Sequence, residues 1–338
     1  MKHLLIGGNG FVGRHLAPRL IELGEEVIVA DVEKGDLPHY AHCRFQRCDI
    51  TKARDVARLP LGPETMTYNL SAKMLSPIVC RARRRAFFWP VNTDGVKLLL
   101  KRMVATSATR LVQFTTDMVY GHVVSSPLTE SHPRAPLGEY GASKLETENL
   151  CEAYRARGLQ ITIFRPRLII GPGRLGILAK LFRLVDLNLP VPMIGSGRNP
   201  YQFISVFDCA SAAVGAWKAG VPNEAFNLGS DSPPSVRDLL ADLISAAGSR
   251  SMLVPTPAWL VKRALGGLDL VNLPLMDPEQ YLIADENCLL DCSKAKRLLG
   301  WSPQYRDEDM LKAAYLEYRR GQAGAPPSVS PAAATSGH

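Results

Sequence analysis

Apolar residues run from Leu4 to Ile6, break at a glycine-rich stretch, and resume at Phe11, Leu16 and Leu20 with helical spacing. Gly24 closes that helix, and a second apolar run, Val27 to Ala30, follows. Strand, glycine turn, helix and strand in this order predict the start of a doubly wound parallel α/β sheet. Farther along, "VNTDGVKLLLKRM" carries apolar positions at helical spacing and leads into the strand "RLVQFTT". A second helical run, "YGASKLETENLCEAYRARG", ends at Gly158. After "RPRLII" the pattern breaks into shorter helices punctuated by Gly and Pro, as a smaller mixed α/β lobe requires. "QFISVFDCASAAVGAWKAG" then returns to the first unit. The expected division is residues 1–170 plus about 203–230 in one domain, and about 171–202 plus 231–320 in a substrate lobe. The stretch "PAWLVKRALGGLDLVNLPL" is expected to be a core-facing helix of that lobe, in preference to a pocket wall or a membrane-surface segment. Residues 321–338, rich in Ala, Pro and Ser, are expected to be a disordered tail.

Composition narrows the class. The 338 residues are 46% hydrophobic, enough for one large core or two modest ones. The formal net charge of +8 is spread along the chain, and the one dense basic run is Arg81, Arg83, Arg84 and Arg85. Such a run is ordinarily a solvated face, with phosphate holding the alternative. Without interleaved aromatic residues, nucleic-acid binding is not expected. Seven cysteines include no paired CxxC spacing, and Cys288 and Cys292 have no histidines nearby, so reduced thiols are expected and zinc or another metal is not. Met1 directly precedes the first strand and no run reaches 18 apolar residues. A cytoplasmic chain with neither signal peptide nor transmembrane segment is expected.

The glycines at 7, 10 and 13 suit a dinucleotide. Gly7 permits the tight turn, Gly10 lets backbone approach a pyrophosphate, and Gly13 allows close helix–strand packing. Asp31 ends the second strand, where a carboxylate accepts both ribose hydroxyls and repels a 2′-phosphate, favouring NAD over NADP. Lys34 nearby weakens that preference. Tyr140 and Lys144 are four apart and share one helix face. An ammonium one turn away lowers a tyrosine pKa from about 10, so the phenolate can take a proton from an alcohol. Thr116, ending the preceding strand, is placed to hydrogen-bond the same oxygen.

On these residues the chain resembles the extended short-chain dehydrogenase/reductase superfamily, its NAD-dependent epimerase/dehydratase group, over nearly its whole length. "GGNGFVG", including Phe11 and Val12, is similar to the cofactor loop, and "CDI", with Asp49 and Ile50, to the adenine-contacting stretch. "NLSA", with Leu70, Ser71 and Ala72, resembles the strand end under the cofactor, and "VNTDG" the turn into the central helix. "TTDMVYG" and "YGASK" resemble the catalytic strand and helix. "RPRLIIGPG", with Pro166, "FISVFDCASAA" and "FNLGSDSPPSVRDLL" resemble later blocks.

The resemblance implies a Rossmann-like fold, NAD as cofactor, and Thr116, Tyr140 and Lys144 as the catalytic triad. Asn92 is either a fourth member, also near the cofactor, or a helix cap. A homodimer through the helices near 92–105 and 140–157 is implied. The 4,6-dehydratases of the family carry threonine–aspartate–glutamate, whereas here Met118 follows Thr116 and Asp117. A thioether cannot remove a proton, so dehydration is disfavoured while hydride transfer stands. Asp117 either orients a substrate hydroxyl or bonds its own loop. Nucleotide-sugar members often hold the diphosphate with an arginine at the place of Tyr201, and an asparagine near the sugar where this chain has Arg167 or Leu168. Arg174 and Arg198 are basic candidates to replace the missing contact, or plain surface residues. The expected activity is epimerisation or dehydrogenation of a secondary alcohol on a nucleotide-linked sugar. "IGSGRNPYQFISV" also resembles the 3β-hydroxysteroid branch, giving a lipid alcohol as the alternative. A cofactor-binding regulatory protein without turnover is the third reading.

Overall fold

The computed structural model describes residues 1–173, 176 and 178–322. Arg174 and the tail from 323 to 338 lie outside the described residues. The strands are β1 (Lys2–Ile6), β2 (Glu26–Asp31), β3 (Arg44–Arg47), β4 (Thr65–Asn69), β5 (Arg110–Phe114) and β6 (Gln160–Pro166). They continue with β7 (Leu168–Ile170), β8 (Val191–Ile194), β9 (Phe203–Ser205), β10 (Ala225–Leu228) and β11 (Leu253–Thr256). The α-helices begin α1 (Phe11–Glu22), α2 (Ala53–Val56), α3 (Arg84–Trp89), α4 (Gly95–Ala105), α5 (Glu139–Arg155) and α6 (Leu178–Asp186). They end α7 (Val206–Lys218), α8 (Val236–Ala246), α9 (Ala258–Leu270), α10 (Pro278–Tyr281), α11 (Ser293–Leu299) and α12 (Asp307–Gln322).

The main sheet is parallel throughout, in the order β10-β6-β5-β4-β1-β2-β3. Strand side chains alternate between faces, and a parallel sheet must bury both. Leu5, Val27, Val29 and Met66 pack with α1 and α7 on one face. Leu4, Ile6, Ile28 and Ala30 pack with α4 and α5 on the other. Chain order reverses between β1 and β4, which opens a crevice at the carboxyl ends of the strands. A third core joins Phe182, Val191, Phe203, Leu239, Leu243, Leu311 and Tyr315, beside the two-stranded pairs β7–β9 and β8–β11.

Five details depart from the sequence pattern. Ile283, Leu290, Leu299 and Trp301 fall in the segment assigned to the substrate lobe, yet they pack into the α1–α7 face of the main sheet. "VNTDG", expected as a turn into the central helix, is itself helical: Pro90–Asp94 form a π-helical segment continuous with α3 and α4. Arg84, read as part of a solvated run, is buried, with Nη1 donating to Asp269 Oδ2 at 2.9 Å and Nε 3.3 Å from Asp277 Oδ2. The helix α9 is not core-facing; Asp269 is its single buried residue. The reason is common to the last two: Asp269 must face inward to meet Arg84, and this leaves Trp259, Leu260, Leu270 and Val271 of α9 outside while Val261, Leu265 and Leu268 are half-buried. Gly321 and Gln322, placed in the expected tail, belong to α12; the rest of that expectation lies outside the described residues. Among the described residues, no helix is long and apolar enough to cross a membrane.

Removing Arg84 leaves two buried carboxylates without their cation. Arg84→Met is therefore expected to cost about 3–5 kcal/mol of stability, read from urea unfolding. A loss under about 1 kcal/mol would show the pair to be solvated.

Candidate active site

The glycine loop forms one wall. Gly7 has φ +75° and its N–H donates to the Ala30 carbonyl at 2.8 Å. A Cβ there would lie 2.7 Å from the backbone nitrogen of Ser71, so the crossing of the β1 and β4 ends requires glycine. A Cβ on Gly13 would sit 2.3 Å from the Gly8 carbonyl oxygen, so this glycine seats α1 on the loop itself. At the start of α1, Gly10 supplies no side-chain cap and the first turn holds no acid. Its N–H groups are open to an anion. Asp31 accepts from the N–H groups of Asn9 at 2.9 Å and Val32 at 2.7 Å, while burial raises its pKa. Asp49 accepts from the Thr51 hydroxyl at 2.7 Å and pairs with the exposed Lys52, beside buried Ile50. The Ser71 hydroxyl donates to Asn69 Oδ1 at 2.6 Å.

A cavity of about 500 Å³ opens where β4, β5 and β6 end. Gly10, Phe11, Val12, Leu70, Ala72 and Pro166 line it on the loop side, and Thr116, Tyr140 and Lys144 also border it. Lys144 is buried and its ammonium donates to the Phe114 carbonyl at 3.2 Å. Burial brings its pKa down to about 8, opposed by Glu148 one turn along α5. Glu148 is itself held by Arg165 at 2.6 Å, Arg134 at 3.0 Å and the Thr115 hydroxyl at 2.8 Å. Tyr140 meets Phe88 edge-on with ring centres 5.5 Å apart, and its hydroxyl donates to Met74 Sδ at 3.4 Å. The Thr116 hydroxyl donates to Asp117 Oδ1 and accepts from the Met118 N–H, both at 3.2 Å. Asn92 does not cap a helix. Inside the π turn, its Oδ1 accepts from the Lys73 N–H at 2.8 Å and its Nδ2 donates to Ser143 Oγ at 3.1 Å.

On the opposite wall, Asp117 is buried in an ion pair with Arg167, whose guanidinium lies over the Tyr201 ring, 5.4 Å from its centre. The carboxylate is thus bound neither to its loop alone nor left open to a hydroxyl. Tyr201 borders a small side pocket with Met118, Arg167 and Gln280. Arg198 is exposed and outside the cavity lining. Lys180, Gln280 and the run Met74–Ile78 do line the cavity, and the sequence did not single them out. The signal for Gln280 was partial: Asp277-Pro278 announces a helix start but not where the helix docks.

Residues 3–229 match the model of the NAD dependent epimerase/dehydratase family. The chain belongs to this family. An uncharacterized protein, y4nG, of Sinorhizobium fredii is 30% identical over 322 residues, 95% of this chain and 79% of that one. The UDP-glucose 4-epimerase of Vibrio cholerae is 26% identical over 309 residues, covering 89% of this chain and 90% of its own. Among solved structures, the UDP-glucuronic acid 4-epimerase of Bacillus cereus in complex with NAD has a TM-score of 0.77 at 23% identity, covering 96% and 99% of the two chains. NAD is the cofactor of this family. The cradle fits it: the glycine crossing leaves no room for side chains, and the uncapped α1 N-terminus leaves donors for a pyrophosphate.

One residue of this family member was invisible in the sequence. Glu279 of α10 reaches the start of α5, where its oxygens accept from the Gly141 N–H at 3.0 and 2.9 Å. Burial pushes its pKa from 4.5 up to about 8. Between these values the folded chain keeps a proton that the unfolded chain has released, so stability falls as pH rises through that window. Glu279→Gln carries no titrating group and should flatten the fall. Urea unfolding near the two ends of the window, about pH 5 and pH 8, checks this; equal slopes in both proteins would mean that Glu279 is ionised when folded.

Proposed function

We propose that this chain is an NAD-dependent epimerase or dehydrogenase acting on a secondary alcohol of a nucleotide-linked sugar, with Tyr140 as the base. The observation that carries the reading is the buried Lys144 ammonium, whose tyrosine partner one turn away borders the same cavity. With a pKa near 8, the lysine is still mostly a cation at neutral pH, and its charge favours the Tyr140 phenolate. The phenolate oxygen takes the hydroxyl proton of the substrate, and Thr116, whose hydroxyl rests on Asp117 Oδ1 at the cavity edge, would swing from that carboxylate to the same substrate oxygen. NAD, when bound, supplies the hydride acceptor. Gly7, Gly10, Phe11, Val12, Gly13, Asp31, Asp49, Ile50, Leu70, Ser71, Ala72, Asn92 and Pro166 are assigned to the cofactor side. Asp117, Arg167 and Tyr201 are assigned to the substrate side, with the exposed Lys180 at the cavity a better placed diphosphate contact than Arg198.

The relatives support the substrate class, being named UDP-glucose 4-epimerase in Vibrio cholerae and Streptococcus mutans. A mouse relative at 23% identity is a dTDP-D-glucose 4,6-dehydratase. Dehydration is nonetheless disfavoured here. Asp117 is the one carboxylate among the described lining residues, Arg167 occupies it, and Met118 has no proton chemistry. A lipid alcohol is the second reading, favoured by the apolar lining from Met74 to Ile78.

Tyr140→Phe should retain NAD while lowering turnover by about 10²–10⁴-fold, measured with UDP, dTDP, GDP and CDP sugars that raise the melting temperature of the NAD-saturated protein. Retained turnover would refute the base, and stabilisation by sterols alone would favour the second reading. We also infer a homodimer through α4 and α5, whose Leu98, Leu145 and Leu150 are only half-buried. Light scattering at micromolar concentration should give twice the 37.0 kDa chain mass; a single chain mass would exclude it.

A further inference from the structure

The helix α9 turns Lys262 and Asp269 inward together with half-buried Val261, Leu265 and Leu268, and still leaves a second apolar face outside. Asp269 is buried on Arg84, and Lys262 pairs with Asp285 at 2.5 Å. The exposed positions are Trp259, Leu260, Arg263, Ala264, Gly267, Leu270 and Val271. They recur three and four residues apart, so they form one stripe along the helix. Leu273 and Leu275 extend it past the helix end. Trp259 is 62% exposed, Leu270 67%, Val271 64% and Leu273 64%. Isolated exposed apolar residues need no account, but a continuous stripe of this size on one face marks an interaction surface.

Charge identifies what the surface meets. From 259 to 275 no exposed side chain is acidic, and the one charge on the stripe is Arg263, lying over the Trp259 ring at 5.6 Å. The Arg84–Asp269 pair brings the turn Arg81–Arg83 to the same helix end, and Arg81 and Arg83 are both exposed. We propose that the α9 stripe and its arginine rim dock on an anionic lipid bilayer. An apolar face set into the interface beside Lys and Arg that meet anionic headgroups is how a helix binds a membrane without crossing it. A second copy fits poorly. Two-fold pairing of the stripe would bring Arg263, Arg81 and Arg83 of both copies together, like charge against like. The surface also adjoins the active site: Met74–Ile78 of the cavity lead directly into Arg81, and Gln280 follows Leu275 by one helix start. Docking would place the cavity beside the bilayer.

The full chain is mixed with phosphatidylcholine vesicles, with or without phosphatidylglycerol, and sedimented without substrate. Inactivity toward nucleotide sugars therefore leaves the result intact. Binding to the anionic vesicles is expected, weakening with salt and absent from neutral ones. Arg81→Gln with Arg83→Gln should weaken it by about fivefold per charge. Trp259→Ala with Leu270→Ser should abolish it, while both double variants melt as the parent does, since all four side chains are exposed. Failure to sediment with either vesicle overturns the proposal. So does a dimer that Trp259→Ala with Leu270→Ser breaks, which would assign the stripe to a second copy.

Discussion

A cation buried at the end of β5 governs the rest of this molecule. Lys144 is 2% exposed, and a charge that deep is stable only with partners. The Phe114 carbonyl provides one at 3.2 Å, and Glu148 lies one turn along the same helix. Glu148 in turn needs neutralising, and Arg165, Arg134 and Thr115 do so. Arg165 also donates to Tyr120, whose hydroxyl reaches Asn227 in β10. One ammonium thus fixes α5 against β5 and β6 and ties in the edge strand. A network of this kind is costly if any member is lost, so it holds in place the helix that carries Tyr140.

The opposite wall of the cavity follows a similar rule with a different outcome. Asp117 and Arg167 neutralise each other under the ring of Tyr201. Among the described lining residues Asp117 is thus a paired carboxylate, the cations are Lys144, Lys180 and the paired Arg167, and Met118 with the Met74–Ile78 run adds apolar surface. The proposed redox chemistry at an alcohol asks less of such a site than proton removal from carbon would.

A third buried ion pair decides the shape of the surface. By drawing Asp269 inward, Arg84 orients α9 so that its apolar stripe meets solvent. It also fastens α9 and Asp277 to the helix that leads into Asn92, placing Gln280 at the cavity and Glu279 at the start of α5. Pairing that stabilises the cleft and exposure that favours docking come from the same three side chains.

The local pattern carried much of this. Apolar runs ending in Gly7, Asp31 and Thr116 are legible because strand, glycine turn and helix each rest on near neighbours. Tyr140 and Lys144 are legible because four residues make one helical turn. The sequence alone therefore determined the sheet, the cofactor loop and the residues proposed for catalysis. Partners far apart in the chain were decided only by the tertiary structure. Asp117 meets Arg167 across 50 residues, Arg84 meets Asp269 across 185, and Glu279 meets Gly141 across 138. No spacing rule spans such distances, and a charged residue shows nothing in sequence of whether water or another charge will satisfy it. The inward turn of Asp269 left an apolar stripe of α9 on the outer surface, because stripping the buried Arg84 guanidinium of this carboxylate costs more than exposing leucines.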